Sequence, residues 1–116
     1  MRRTSGLGIC GLALLGLTAA CGGNKTDHPE ISAALVAGKP GFSPNALITA
    51  KGHTMAVKVG NTTDKQHGFS IDGYDVVRTV DPNQTIEVTF KANRAGRFRV
   101  FCQLHPAHQE AQLLVK

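Results

Sequence analysis

The sequence predicts an all-β domain of about eight short strands, arranged as a sandwich or barrel. Apolar Ile86, Val88 and Phe90 alternate strictly with polar residues, which is typical of a strand with one buried face. Turn-forming residues recur at short intervals along the chain. The folded region contains no convincing helical repeat of apolar residues. Short strands separated by regular turn signals are typical of β-sandwiches and barrels.

The predicted strands follow one another from residue 31 to the end of the chain. The first, Ile31–Ala37, is short and apolar, so its periodicity alone does not separate a strand from a helix. Gly38 and a predicted Lys39–Gly41 turn close it after seven residues, which favours a strand. The other predicted strands are Ala46–Thr49, Thr54–Val59, His67–Ile71, Val76–Val80, Thr85–Phe90, Phe98–Val100 and Leu113–Val115.

Residues 1–20 have the features of an export signal. Arg2 and Arg3 precede an apolar run, Leu7–Ala20, that is too short to span a bilayer. Small residues then lead to Cys21. The segment resembles a bacterial lipoprotein signal, which implies lipidation of Cys21 and a membrane-anchored protein of the cell envelope or periplasm. A cleaved secretory signal and an uncleaved anchor are the alternatives.

Residues 21–30 are polar and rich in turn formers, so they are predicted to form a flexible tether. The predicted domain then comprises residues 31–116. Removal of residues 1–20 would leave 96 residues. A chain near that size buries roughly 60–70% of its unfolded surface, so it can fold without disulfides.

The chain carries a mild positive charge. It has 13 Lys and Arg against 8 Asp and Glu, and loss of Arg2 and Arg3 with the signal would reduce the excess from +5 to +3. There is no run of basic residues, and the five Phe residues suit a core. Nucleic acid is therefore not expected as a partner.

The distribution of cysteines points to the C-terminal segment. Cys10 lies within the predicted signal and Cys21 at the predicted lipid site, so Cys102 would be the only thiol of the exported domain. His105 and His108 follow it closely, between an alternating strand and an apolar closing strand. Cysteine thiolate and imidazole are donors for copper or zinc. This loop is therefore predicted to bind a metal ion.

The order of motifs resembles that of the cupredoxins. The motifs are Gly41–Thr49, a polar loop ending in His67-Gly68-Phe69, the Thr85–Phe90 strand, the Ala95-Gly96 turn and Cys102-x2-His105. The resemblance covers residues 31–116 and implies a cupredoxin-like Greek-key β-sandwich with one copper ion near one end. The segment that begins at His67 looks most like the copper domains related to nitrous-oxide reductase and cytochrome oxidase subunit two.

The resemblance also implies the metal ligands. The early donor corresponds to His67, and the loop donors correspond to Cys102 and His105. Cupredoxins usually add a weakly bound methionine after the loop histidine. This chain has none there, and Met55 is predicted to lie in the core. His108 stands where some members of the family carry the methionine.

We therefore expect a site composed of His67, Cys102, His105 and His108, similar to that of nitrosocyanin. Other candidates for the fourth donor are Gln109, Glu110 and Gln112. A third imidazole in place of a thioether favours Cu(II) over Cu(I), so we expect a low potential and a red or green colour. A two-copper centre is not expected, because the loop has a single cysteine. Zinc fits the same donors, but the family resemblance favours copper.

Three functions are compatible with such a site. The first is electron transfer by a membrane-anchored copper protein, and the second is copper binding, buffering or delivery. The third, a small red-copper enzyme or nitric-oxide-binding protein, is least favoured, because the sequence offers no general base apart from the ligands. The lack of methionines, which suit Cu(I) transfer, favours the electron carrier. The expected partner is an exported redox protein or cuproenzyme.

Overall fold

The computed structural model describes residues 25–116, which form ten strands and contain no helix. No helix within this range could therefore cross a membrane. The predicted export signal and the predicted lipid site at Cys21 lie outside the described residues. The strands are β1 (Thr26–Asp27), β2 (Glu30–Val36), β3 (Lys39–Ser43), β4 (Ala46–Thr49), β5 (Thr54–Asn61), β6 (His67–Ile71), β7 (Val76–Val80), β8 (Thr85–Lys91), β9 (Gly96–Phe101) and β10 (Ala111–Val115).

The strands form two sheets. The order in the first sheet is β4-β10-β9-β6-β7. In the second sheet β5 pairs with β8 along one edge and with β1 and then β2 along the other, and β3 lies beyond β2. Sheet neighbours such as β4 and β10 are far apart in sequence, so the chain crosses repeatedly between the sheets. The predicted all-β sandwich is confirmed.

Apolar side chains from both sheets meet in one core. Burial of each large aliphatic or aromatic side chain contributes roughly 1.5–3 kcal/mol to folding. In β8 the predicted alternation is confirmed, because Val88 is buried while Glu87 and Thr89 are exposed. The core residues that are at most 2% exposed include Ile31, Val57, Val59, Phe69, Val100 and Leu113.

All eight predicted strands are present, and the structure adds β3. The predicted turn at Lys39–Gly41 is wrong, because these residues begin β3 and the chain reverses one step earlier, at Ala37 (φ 53°) and Gly38 (φ 81°). Positive φ at both positions is the geometry of a type I′ two-residue hairpin turn. Pro40 is tolerated because β3 is an edge strand and has a partner on one side only.

The second added strand, β1, lies within the predicted tether. Thr26 and Asp27 pair with the start of β5 in parallel orientation. The Asp27 carboxylate accepts hydrogen bonds from Thr49 Oγ1 at 2.6 Å and from His53 Nδ1 at 2.9 Å. The folded domain therefore includes residues 25–30, which had been predicted to be flexible.

Candidate metal centre

Two neighbouring strands bring distant predicted ligands together. β6 begins at His67, and β9 ends at Phe101, immediately before Cys102. These strands pair antiparallel, with Phe101 opposite Ser70. The start of β6 therefore lies beside the end of β9, at one end of the sandwich. His67 and Cys102 meet there although they are 35 positions apart.

The loop after β9 folds into two successive turns. The His105 N–H donates to the Cys102 carbonyl at 3.4 Å, and the His108 N–H donates to the His105 carbonyl at 3.0 Å. The Gln109 N–H then donates to the Pro40 carbonyl at 2.9 Å. The loop is thus attached to β3, in the opposite sheet from the strand that precedes it.

The donor atoms of His67, Cys102 and His105 form a compact group, and all lie within 4.8 Å of one another. Cys102 Sγ is 3.4 Å from His105 Nδ1 and 3.9 Å from His67 Nδ1. Two donors that bind one metal ion at about 2.0–2.3 Å are themselves roughly 3–4 Å apart. These three residues therefore fit a single metal ion.

The three donors differ in exposure. Cys102 is 5% exposed and His67 is 3% exposed, whereas His105 is only half-buried. Pro106 and Ala107, which follow His105, are exposed. The group therefore lies just beneath the surface, with His105 as the donor that reaches solvent.

The Cys102 sulfur accepts a hydrogen bond from the backbone. The Gly68 N–H donates to Sγ, and the nitrogen and sulfur are 3.1 Å apart. Such a bond stabilises negative charge on sulfur, and the thiolate is the form that binds metal. Cys102 is a free cysteine.

His108 lies against this group without belonging to it. Its ring packs on Phe42 and on His67, with centroid distances of 4.5 Å and 4.8 Å. Its Nδ1 lies 3.0 Å from the Gln109 carbonyl oxygen. A carbonyl only accepts hydrogen bonds, so Nδ1 carries the hydrogen and Nε2 has a free lone pair. That Nε2 is buried and has no hydrogen-bond partner.

An unpaired buried nitrogen of this kind suits a metal ligand. A buried polar atom without a partner costs about 1–3 kcal/mol, and coordination would remove that cost. Metal-binding histidines almost always donate their second N–H to a carbonyl, carboxylate or water, as His108 does to Gln109. The role of His108 as fourth donor stays a prediction.

Both buried histidines favour the neutral imidazole. Burial lowers the pKa of His67, and the nearby His108 and His105 lower it further. Burial also lowers the pKa of His108, although the hydrogen bond to Gln109 opposes this effect. Because metal binds the neutral ring, both imidazoles are in the binding form at neutral pH.

The other candidates for the fourth donor lie elsewhere. Glu110 Oε2 accepts a hydrogen bond from Arg99 Nε at 2.8 Å. Gln109 uses its side-chain amide to donate to the β2 backbone. Gln112 is exposed in β10, and Met55 is fully buried in the core. His108 is therefore the candidate that the fold brings to the donor group.

A cavity of about 330 Å³ opens beside the donors. Its lining includes His67, His105 and His108 and the loop residues Asp64 and Lys65. The three histidines therefore border this cavity, and His105 is the most exposed of them.

Asn61 supports the site and was not among the predicted residues. Its side-chain amide donates to the carbonyls of Lys65 and Val80 at 2.7 and 2.9 Å. Its carbonyl oxygen accepts from the N–H and Oγ1 of Thr63 at 2.9 and 2.7 Å. These bonds shape the loop that ends at His67. An Asn at a strand end before a polar loop is a recognisable sign of such bonds.

Gln103 also contacts the site and was not predicted. Its side chain lies over Gly68 and forms hydrogen bonds to Ser70 and to the Arg78 carbonyl. No sequence pattern indicates this arrangement, because it depends on how the loop after β9 meets β6 and β7.

Comparison with known proteins identifies the family. A family model described as a cupredoxin-like domain matches residues 11–115. The chain is 30% identical over 86 residues to the nitrous-oxide reductases of Ralstonia nicotianae and Cupriavidus necator. The aligned region covers 70% of this chain and only 13% of each of these relatives.

Solved structures share the fold at low identity. A copper nitrite reductase from Nitrosomonas europaea superimposes with a TM-score of 0.67 at 16% identity, covering 79% of this chain and 42% of that protein. Auracyanin A, a "blue" copper protein from Chloroflexus aurantiacus, gives 0.62 at 18% identity, covering 78% of this chain and 99% of that protein. Together with the family match, these findings show that the chain belongs to the cupredoxin-like domain family.

Proposed function

We propose that this protein is an exported electron-transfer protein that binds one copper ion through His67, Cys102 and His105. The observation that carries the proposal is the group of three donor atoms, all within 4.8 Å, where β6 meets the loop after β9. One thiolate and two imidazoles suit copper and zinc alike. Membership of the cupredoxin-like family favours copper.

The relatives support a redox role for the site. Their names include nitrous-oxide reductase, copper nitrite reductase and a blue copper protein. This chain aligns with nearly the whole of auracyanin A but with only a small part of the nitrous-oxide reductases. We therefore propose that the domain carries electrons and does not itself catalyse reduction of a substrate.

The protein's own contribution is to hold the donors still. His67 is fixed within β6, and the Cys102 sulfur is held by the Gly68 N–H. The rest of the loop is tied to Pro40 through Gln109. Copper in this site would supply a one-electron couple between Cu(I) and Cu(II). Rigid donors need to rearrange little between the two charges, and half-buried His105 offers a short route to the surface.

We propose His108 as the fourth donor, through its unpaired Nε2. A third imidazole is a stronger and harder donor than a thioether, so it favours Cu(II). The expected consequences are a lower reduction potential than that of a blue-copper protein and a red or green colour.

Copper loading of the full chain tests the proposal. Replacing Cys10 and Cys21 by Ser leaves Cys102 as the only thiol. We expect one equivalent of copper to bind and to produce an intense sulfur-to-copper absorption band. Cys102→Ser should abolish the band, whereas the distant His53→Ala variant should retain it. A band that survives Cys102→Ser, or a protein that binds no copper, would contradict the proposal.

Copper delivery is the second candidate function. One observation favours it: the three histidines of the site border a cavity, and His105 is the most exposed of them. A delivery protein should lose Cu(I) to a competing chelator within minutes, whereas a carrier should keep copper through repeated oxidation and reduction. Measuring the loss rate of Cu(I) separates the two functions.

We further propose that the chain is exported and anchored to a membrane by a lipid on Cys21. The sequence of residues 1–21 supports this proposal. An anchored domain would exchange electrons with an exported redox protein or cuproenzyme. Incorporation of a labelled fatty acid that is lost in Cys21→Ser would support the anchor, and a protein released into the soluble fraction of cells would contradict it.

A further inference from the structure

The side chain of Gln103 bridges two strands beside the proposed copper site. Its Oε1 accepts a hydrogen bond from Ser70 Oγ at 2.7 Å, and its Nε2 donates to the Arg78 carbonyl at 2.9 Å. Ser70 lies in β6 and Arg78 in β7. Both ends of the amide are therefore bound to strands outside its own loop, and Gln103 directly follows the ligand Cys102.

Gly68 is the residue on which this amide rests. A Cβ at position 68 would overlap the Oε1, Cδ and Nε2 atoms of Gln103, and these are the three nearest atoms that it would meet. The absence of a side chain at Gly68 thus creates the space that the amide occupies. The φ of Gly68 is not in the left-handed region, so the need for glycine here is one of space and not of backbone conformation.

Gly68 is also the residue whose N–H donates to the Cys102 sulfur, at 3.1 Å. One glycine therefore contacts two consecutive loop residues, Cys102 through its N–H and Gln103 through its bare Cα. Ser70, whose hydroxyl donates to the Gln103 amide, is only 2% exposed, whereas Gln103 itself lies at the surface. Movement of Gln103 would change the position of the Gly68 peptide relative to the sulfur.

We propose that Gln103 is a positioning residue that holds the Cys102 sulfur against the Gly68 N–H. We name the set of Gly68, Ser70, Arg78 and Gln103 the amide clamp. The strength of an N–H···S bond controls how much electron density a thiolate gives to a metal, so the clamp tunes the site without touching the metal. This inference rests on the proposed function for its effect on copper, but the clamp itself can be tested without metal.

Gln103→Met is the most direct test, because Met has similar length, cannot donate to the Arg78 carbonyl and is only a weak acceptor for Ser70. Gln112→Met is the matched control, since Gln112 is exposed in β10 and lies outside the clamp. In the metal-free protein we expect Gln103→Met to shift the Gly68 amide proton resonance, and Gln112→Met to leave it unchanged. With copper bound, only Gln103→Met should shift the sulfur-to-copper absorption band.

A double-mutant cycle tests the packing of the clamp. Gly68→Ala should lower the folding equilibrium constant by roughly tenfold, the lower part of the range for overpacking. In the Gln103→Ala background the same substitution should cost much less, because the atoms that it would overlap are gone. If Gly68→Ala lowered the folding equilibrium constant equally in both backgrounds, the proposed packing of Gln103 on Gly68 would be wrong.

The outcomes separate this inference from the proposed function. An unchanged Gly68 resonance in Gln103→Met would overturn the inference whether or not copper binds. A shifted resonance with an unchanged copper band would overturn the tuning role. A shifted resonance in a protein that binds no copper would support the positioning of sulfur by Gln103 and contradict the proposed function alone.

Discussion

The imidazole rings of His67 and His108 lie against each other, with their centroids 4.8 Å apart and their planes inclined by 59°. Phe42 also packs on His108, with its ring centroid 4.5 Å from that of the imidazole. The His108 ring is thereby oriented by two aromatic neighbours and by the hydrogen bond from its Nδ1 to Gln109. This orientation leaves the buried Nε2 without a partner beside the donor group.

Replacing His108 by Met tests whether that nitrogen binds copper. If it does, a thioether takes the place of a strong nitrogen donor, and the spectrum of the copper-loaded protein should shift toward that of a blue-copper protein. The reduction potential should rise as well. His53→Met, at the opposite end of the sandwich, is the control and should change neither property. A spectrum and potential unchanged by His108→Met would show that His108 is a bystander.

Asn61→Ala should destabilise the domain by about 2–3 kcal/mol, because it leaves the carbonyl groups of Lys65 and Val80 with fewer hydrogen-bond partners. The side chain is 2% exposed and forms four hydrogen bonds. Urea unfolding of the metal-free protein measures the loss. Thr62→Ala removes one longer, partly buried bond to the Ala33 carbonyl and should cost less than about 1 kcal/mol. Equal losses in the two variants would contradict the role given to Asn61.

Asp27 makes the unfolding free energy of the domain depend on pH in the acid range. Its hydrogen bonds from Thr49 and His53 lower the pKa of the carboxyl below its ordinary value of 3.8. The folded state thus binds the proton less readily than the unfolded chain. The stabilisation from Asp27 is present above about pH 3.8 and is lost as pH falls through the folded-state pKa.

Asp27→Asn should therefore cost about 1 kcal/mol near pH 6, and progressively less as pH falls below about 3.8. The measurement is the difference in unfolding free energy between the two proteins from pH 3 to pH 7. Asp64→Asn, for a loop aspartate with no resolved hydrogen bond, is the control. A difference between wild type and Asp27→Asn that grows toward acid pH would have the wrong sign.

Copper should stabilise the folded domain, because the donors converge only after β6 and β9 have paired. Binding to the folded state alone raises the unfolding free energy by about 2.7 kcal/mol when free metal is 100 times its Kd. A chelator should reverse the gain, and Cys102→Ser should remove it. Calorimetric unfolding with and without copper provides the measurement. Stabilisation that persists in Cys102→Ser would indicate that copper binds elsewhere.

Much of the fold follows from patterns between near neighbours in the sequence. The alternation of Val88 with Glu87 and Thr89 predicted β8, and the bounds of β4, β6 and β7 match the predicted strands. The spacing of Cys102 and His105 likewise marked the donor loop. Each of these signals depends on residues a few positions apart, where backbone geometry dictates which side chains share a face.

β3 was not predicted because its first residues are typical of turns. Pro40 and Gly41 are turn formers, and nothing near them in sequence indicates that β3 lies at a sheet edge, where proline is tolerated. β1 has only two residues and is held by Thr49 and His53, which lie more than 20 positions away. A short stretch of sequence around β1 contains neither Thr49 nor His53, so it does not indicate the strand.

For the metal site, local sequence and tertiary structure determine different properties. Composition and local spacing are enough to predict a β domain and a metal-binding loop, because strand alternation and ligand spacing are short-range properties. Which groups meet is settled by the pairing of β6 with β9 and by packing between the sheets. Three contacts of the site join residues that are more than 30 positions apart. They are the approach of His67 to Cys102, the packing of Gln103 on Gly68 and the packing of Phe42 on His108. Such contacts arise from the summed packing of the whole core, so no single stretch of sequence encodes them.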